Sequence, residues 1–150
     1  MSTQTFSHLD ATGTARMVDT SQKPTQHRVA IAEGFIHLAP PTLIALQAAA
    51  LPKGDVLTVA RIAAIQAAKR TDSLIPLCHS LPLDAVDIHF TVQPTGIAIR
   101  ATAATTARTG VEMEALTAVS IAALTIYDMC KAIDKTMVIN HIRLVSKTKS

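Results

Sequence analysis

Tryptophan is absent from this 150-residue chain, tyrosine occurs once, and aromatic residues make up only 3% of it. A core without large rings has to be filled by Ala, Val, Ile and Leu, and an apolar content of 49% is enough to fill one domain of this length. Such side chains suit helices packed closely on a sheet, and alanine-rich faces also point to burial against another subunit. Cysteine is scarce: Cys78 and Cys130 have no paired spacing, so neither a disulfide framework nor a zinc site is indicated. No unbroken apolar run reaches the roughly 18 residues of a membrane span. The nearest candidate, Ala115–Tyr127, is diluted by Thr117, Ser120 and Thr125 and stopped by Asp128. Met1 to Asp10 lacks the charged start and apolar run of a signal peptide, so the expected location is the cytoplasm. A long basic run is missing too. Fourteen Lys and Arg face eleven Asp and Glu, for a net charge of +3, and only Lys69-Arg70 and the tail Lys147 and Lys149 cluster. Without a cationic stripe or stacking aromatics, neither nucleic acid nor a membrane is the expected partner. The scattered cations either form a solvated surface or ring a small polyanion.

The elements read in order as follows. Residues 1–25 are polar, with Pro24, and read as a mobile arm; residues 26–150 read as a single domain. Arg28 to Leu38 alternates loosely through Val29, Ile31, Phe35 and His37, as in a half-buried strand. Thr42 is a candidate cap for a short helix through Leu43–Leu51, and Asp55 for a second from Val56 to about Lys69, with apolar residues recurring at Val59, Ile62, Ile65 and Ala67. Ile75-Pro76-Leu77-Cys78-His79 is a tight apolar loop. Val86, Ile88, Phe90 and Val92 alternate in a strand over Ala85–Gln93, and Pro94-Thr95-Gly96 turns it into a second strand over Ile97–Thr105. The strongest helix runs from Glu112 to about Ile133, and a last strand from Met137 to Val145 leaves Lys147 in a tail beyond it. Strands and helices without strict alternation argue for α+β, an antiparallel sheet with helices on one face.

Three groups of residues carry possible chemistry. Lys53-Gly54-Asp55-Val56 sets a lysine beside a glycine turn and a helix N-terminus, which favours phosphate; as an ordinary turn and cap it has no further role. His79 follows a proline-stiffened loop able to hold the ring rigidly towards a ligand, or simply to bury it, and Cys78 reads as a small core residue. On the long helix, Glu112 and Glu114 begin it, while Asp128 and Lys131, three apart, share a face near its end. The last pair is a solvated ion pair or, because it follows the most apolar segment, a desolvated lysine tuned by an aspartate for proton transfer. Glu114 and Asp128 lie about 21 Å apart along one helix, so only an antiparallel copy or a neighbouring subunit brings the two ends into one pocket.

Three long motifs in register give a more specific reading. Gly110-Val111-Glu112-Met113-Glu114-Ala115-Leu116 runs on to Thr125-Ile126-Tyr127-Asp128-Met129-Cys130-Lys131-Ala132; Lys53-Gly54-Asp55-Val56 leads to Gln66-Ala67-Ala68-Lys69-Arg70-Thr71; and Leu74-Ile75-Pro76-Leu77-Cys78-His79 follows. With Met17-Val18-Asp19 and Lys23 leading to Arg28, the chain resembles the cyclic pyranopterin monophosphate synthase family, the C proteins of molybdenum cofactor biosynthesis, over nearly its whole length. The resemblance implies a ferredoxin-like α+β fold, a homohexamer of three dimers with sites at subunit interfaces, and no metal or organic cofactor. It implies a small-molecule substrate, cyclised GTP, namely (8S)-3′,8-cyclo-7,8-dihydroguanosine 5′-triphosphate, made by an upstream radical SAM cyclase that is a possible transient contact. That substrate is rebuilt as cyclic pyranopterin monophosphate with release of pyrophosphate.

Carried over by position, Asp128, Lys131 and Lys53 match catalytic residues. Leu77, Cys78 and His79, with Glu112, Met113 and Glu114, match the substrate-binding segments, and Arg28 and Lys147 match cations expected near the phosphates. Three departures stand out: Ser80 replaces a usual proline, Asp72-Ser73 alters the approach to Leu74, and Lys147-Thr148-Lys149-Ser150 stands where many members have a Gly-Gly-Lys-Ser-Gly tail. The rival reading is a non-catalytic oligomeric nucleotide-binding relative of the same fold; the joint presence of Lys53, His79, Glu114, Asp128 and Lys131 favours the enzyme.

Overall fold

Small side chains decide how this chain packs. The computed structural model describes residues 7–150, so the first six residues of the expected arm lie outside the described residues. In chain order the elements are β1 (Gln26–His37), α1 (Pro40–Gln47), α2 (Val56–Ala68), α3 (Thr71–Leu74), β2 (Leu83–Gln93), β3 (Gly96–Ala107), α4 (Glu112–Cys130) and β4 (Val138–Lys149). The strands form one antiparallel sheet in the order β2-β3-β1-β4. With α2 and α4 packed on each other and on the sheet, this is the ferredoxin-like α+β arrangement expected from the sequence.

The inward faces are lined largely by alanine. From β1 the buried residues are Ala30, Ala32, Gly34 and Ile36, so the set Val29, Ile31, Phe35 and His37, which the alternation brings forward, lies on the other face and is only half-buried. Gly34 shows why: a Cβ there would sit 2.7 Å from Val119 Cγ1, so α4 rests directly on the strand backbone. The same inversion occurs on α2. Its buried stripe is Val56, Ala60, Ala64, Ala67 and Ala68, whereas Val59 and Ile62 are exposed, which corrects the apolar face read from periodicity. Helix α4 buries Ala115, Ala118, Val119, Ala122, Ala123 and Ile126 and leaves Leu124 exposed. It is long and apolar enough to cross a membrane by composition, but half of it is buried within the fold.

Helix boundaries differ from the expectation at several ends. Ala39, not Thr42, is the N-cap of α1, because Pro40 and Pro41 lack N–H groups and fit the first turn, where those groups have no intrahelical partner. The cap is supplied from a distance: the carboxylate of Asp134, itself buried, accepts from the Ala39 N–H at 2.8 Å. A one-turn α3 stands between α2 and the Ile75–His79 loop, and α4 ends at Cys130 rather than near Ile133. The last strand runs on to Lys149, so Lys147 lies within β4, paired with Ala30, and not in a tail beyond it. Backbone bonds in both directions between His27 and Ser150, each 3.0 Å, close that strand.

Candidate active site

At the C-terminal end of α4 three of the expected residues meet. The loop before α2 turns at Gly54, whose φ of +88° favours glycine, and Asp55 then caps the helix by accepting from the Thr58 N–H at 3.1 Å. This turn brings Lys53 against α4, where its ammonium donates to Asp128 Oδ2 at 2.9 Å and to the Asp128 carbonyl at 3.1 Å. A cation on a carbonyl of the last helical turn also complements the helix dipole. Lys131 approaches the other carboxylate oxygen, Oδ1, at 2.7 Å. Asp128 is thus gripped by two ammonium groups, Lys131 first and Lys53 second, which hold its carboxyl down at about 2. In return Asp128 raises Lys131 above the ordinary lysine range. All three side chains are about half exposed, so within one chain the pair is solvated; the desolvated alternative read from the apolar segment is not what a single subunit builds.

The second group gathers at the opposite end of α4. Leu77, Cys78 and His79 from the loop after α3 and Met113 and Glu114 from the first turn of α4 line a cavity of about 390 Å³, with Glu112 and Gly110 at its edge. His79 Nε2 lies 2.6 Å from the Val18 carbonyl. Glu114 is only 4% exposed, and burial pushes its carboxyl up, with Glu112 and Asp72 adding repulsion. Burial likewise raises the Cys78 thiol, helped by the charges of Glu114 and Asp72, so this cysteine is not poised as a thiolate nucleophile. Glu112 behaves oppositely to Glu114. Burial acts to raise it, but its own backbone N–H and the Lys147 ammonium, 2.9 Å away, outweigh that and hold it low. Arg28 is bound to the same corner through carbonyls, donating from Nε to Ala107 (3.2 Å) and from Nη2 to Arg108 (3.3 Å). A smaller cavity of about 220 Å³ is walled by Arg28, Glu112, Lys147 and Lys149.

The structure therefore brings the expected residues together as two groups and not as one. Lys53, Asp128 and Lys131 stand at one end of α4; Leu77, Cys78, His79, Glu112, Met113, Glu114, Arg28 and Lys147 stand at the other. Sequence reasoning missed Val18, Thr20 and Lys149 as wall residues of the second group. Val18 contributes a backbone carbonyl, which no residue pattern announces. Among the described residues no set of three or more His, Cys, Asp or Glu is placed to hold a metal ion.

Comparison with known proteins bears on the same residues. A chain from Novosphingobium aromaticivorans named cyclic pyranopterin monophosphate synthase is 61% identical, covering 95% of this chain and 90% of its own length. A protein of the same name from Chloroflexus aggregans is 60% identical over 95% of this chain and 87% of its own length. In Chlorobaculum tepidum a protein named molybdenum cofactor biosynthesis bifunctional protein is 57% identical, the match covering 95% of this chain and 46% of the longer protein. The model of the MoaC family matches residues 17–150, which include every residue of both groups, and the chain belongs to that family.

Proposed function

We propose that this protein is a cyclic pyranopterin monophosphate synthase, converting cyclised GTP to cyclic pyranopterin monophosphate with release of pyrophosphate. The observation that carries the reading is the intact pair of half-sites, Lys53–Asp128–Lys131 and His79–Met113–Glu114, in a chain 61% identical to a relative of that name. The half-sites lie about 21 Å apart along one helix, which supports sites that take one half from each of two subunits, in the homohexamer of three dimers that the family resemblance implies. The exposed apolar side chains Met113 and Leu124 on α4, with Val59 and Ile62 on α2, support burial of that outer face by a second copy.

In such a site each residue has a role that its chemistry allows. Lys131, kept as an ammonium by Asp128, is a proton donor in the resting state, and cover by a partner removes the water that now screens the pair. Lys53, Arg28 and Lys147 supply positive charge for the triphosphate, and Leu77, Cys78, His79, Glu112, Met113 and Glu114 hold the base and ribose. The reaction needs proton transfers and phosphate stabilisation, both of which these side chains provide. The enzyme works in the cytoplasm and takes its substrate from the cyclase that makes it, with transient contact between the two.

Incubation of the purified protein with cyclised GTP tests the reading, following pyranopterin and pyrophosphate. Equal amounts of the two products are expected. Tight binding without either product would instead identify a non-catalytic nucleotide-binding relative.

A further inference from the structure

The segment ahead of β1 crosses the second half-site with a built connection. Asp10 fastens its first turn, Oδ1 accepting from the backbone N–H groups of Thr12 (2.8 Å) and Thr14 (2.9 Å). A bridge joins Leu9 to Ala15, and the Arg16 N–H donates to the His8 carbonyl at 2.8 Å. From this small hairpin the chain runs past the loop that carries His79, and Val18, Thr20 and Lys23 line the 390 Å³ cavity together with Cys78, Met113 and Glu114. The side-chain bond that ties the two segments together is His79 Nε2 to the Val18 carbonyl, 2.6 Å.

That bond has a direction. A carbonyl oxygen only accepts, so the proton must be on Nε2, and the neutral ring then carries its lone pair on Nδ1. We propose that the Val18 carbonyl is a positioning group for His79: it fixes the ring in place as the Nε2–H tautomer and leaves Nδ1 as the atom that accepts a hydrogen bond or a proton from the substrate. Residues 8–23 are accordingly a wall of the site, joined to it through a main-chain atom. The proposal rests on the reading of His79 as a substrate-binding residue. It adds that the ring serves through its acceptor nitrogen, its donor nitrogen being committed to the chain itself.

Two measurements need no substrate. In protein with nitrogen-labelled histidine, at a pH where imidazoles are neutral, His79 should show a protonated Nε2; a proton on Nδ1 overturns the proposal. Trypsin cleavage of the Arg16–Met17 bond, next to Val18, should speed up about tenfold in His79→Ala, because loss of one hydrogen bond raises the population of the opened strap. His79→Gln places an amide N–H near the former Nε2 and should stay close to the parent rate. Equal cleavage of parent and His79→Ala would show that the contact holds nothing.

The third measurement is turnover. In the full chain His79→Gln should lose about tenfold or more in kcat/KM for cyclised GTP, mainly in kcat, because it keeps the strap and lacks the basic nitrogen. Full activity in that variant overturns the role given to Nδ1. Failure of the parent chain to turn over cyclised GTP sinks the proposed activity alone, since the spectroscopic and proteolytic results stand without it.

Discussion

Glu112 owes its position to one missing carbon. A Cβ on Gly110 would overlap the Glu112 carboxylate, so Gly110→Ala drives that group off its 2.9 Å bond with Lys147. Because the displaced atoms end a flexible side chain, stability should change by less than about 1 kcal/mol in urea unfolding, while kcat/KM falls about tenfold. Glu114 offers a test through pH. Burial raises its carboxyl, so the folded chain keeps the proton to higher pH than the unfolded chain does. The stability it contributes is fully present below the unfolded value and is lost as pH rises through the folded one. Glu114→Gln should therefore melt higher than the parent at neutral pH and match it in acid, below the ordinary glutamate value of about 4.3. Parallel melting curves at both pH values would show that Glu114 is not strained. For Lys131, held as an ammonium at the exposed end of α4, Lys131→Ala should remove turnover and leave the melting temperature and oligomer mass unchanged.

Asp134 shows how one side chain can join three elements. From the turn after α4 it accepts from the Ala39 N–H at the start of α1 and from the Thr136 N–H (2.9 Å) and hydroxyl (2.8 Å) just before β4. Asp134→Ala leaves these three donors without their acceptor and should cost about 1–2 kcal/mol in urea unfolding. Burial alone would raise this carboxyl, but the Ala39 and Thr136 bonds outweigh it and hold it low. Its contribution is thus present above the ordinary aspartate value of about 3.9 and disappears as pH falls through the folded one, so the deficit of the alanine variant should shrink in acid. Such long-range capping was not legible in the sequence, where Thr42 beside Leu43 looked like the cap. The β2–β3 hairpin was legible, because Val86, Ile88 and Phe90 alternate and Pro94-Thr95 breaks the run. The inward face of β1 was not: Ala30, Ala32 and Gly34 give almost no hydrophobic signal, yet their smallness admits α4. Gly34→Ala should cost about 1–3 kcal/mol by pushing Val119 away.

At the scale of the whole molecule the candidate site was legible as residue types but not as one place. The charges of Lys53, Asp128 and Lys131 and the motif at Leu77–His79 could be read directly, and the helix rise alone separates the two ends of α4. What brings Lys53 to Asp128, or Val18 to His79, is the tertiary path of the chain, which leaves no local pattern. If each site takes Glu114 from one subunit and Asp128 from another, mixing Glu114→Ala chains with Asp128→Ala chains should restore part of the activity lost by each. Mass measurement confirms exchange; mixed oligomers with no recovery would assign each site to a single subunit. The alanine lining between helices and sheet carries one more consequence, for how the protein tolerates random change. Where Ile, Leu or Val fill the interior most damage comes from lost volume, but at the alanine positions little volume is available to lose, and nearly every substitution there is an enlargement. Mutational scanning should therefore find Ala30, Ala60, Ala64, Ala118 and Ala122 most tolerant of serine and closed to anything larger, with glycine costing about 1 kcal/mol at the four helical positions. Its harm profile would track side-chain size more than hydrophobicity, and variants selected for higher stability should arise away from this layer.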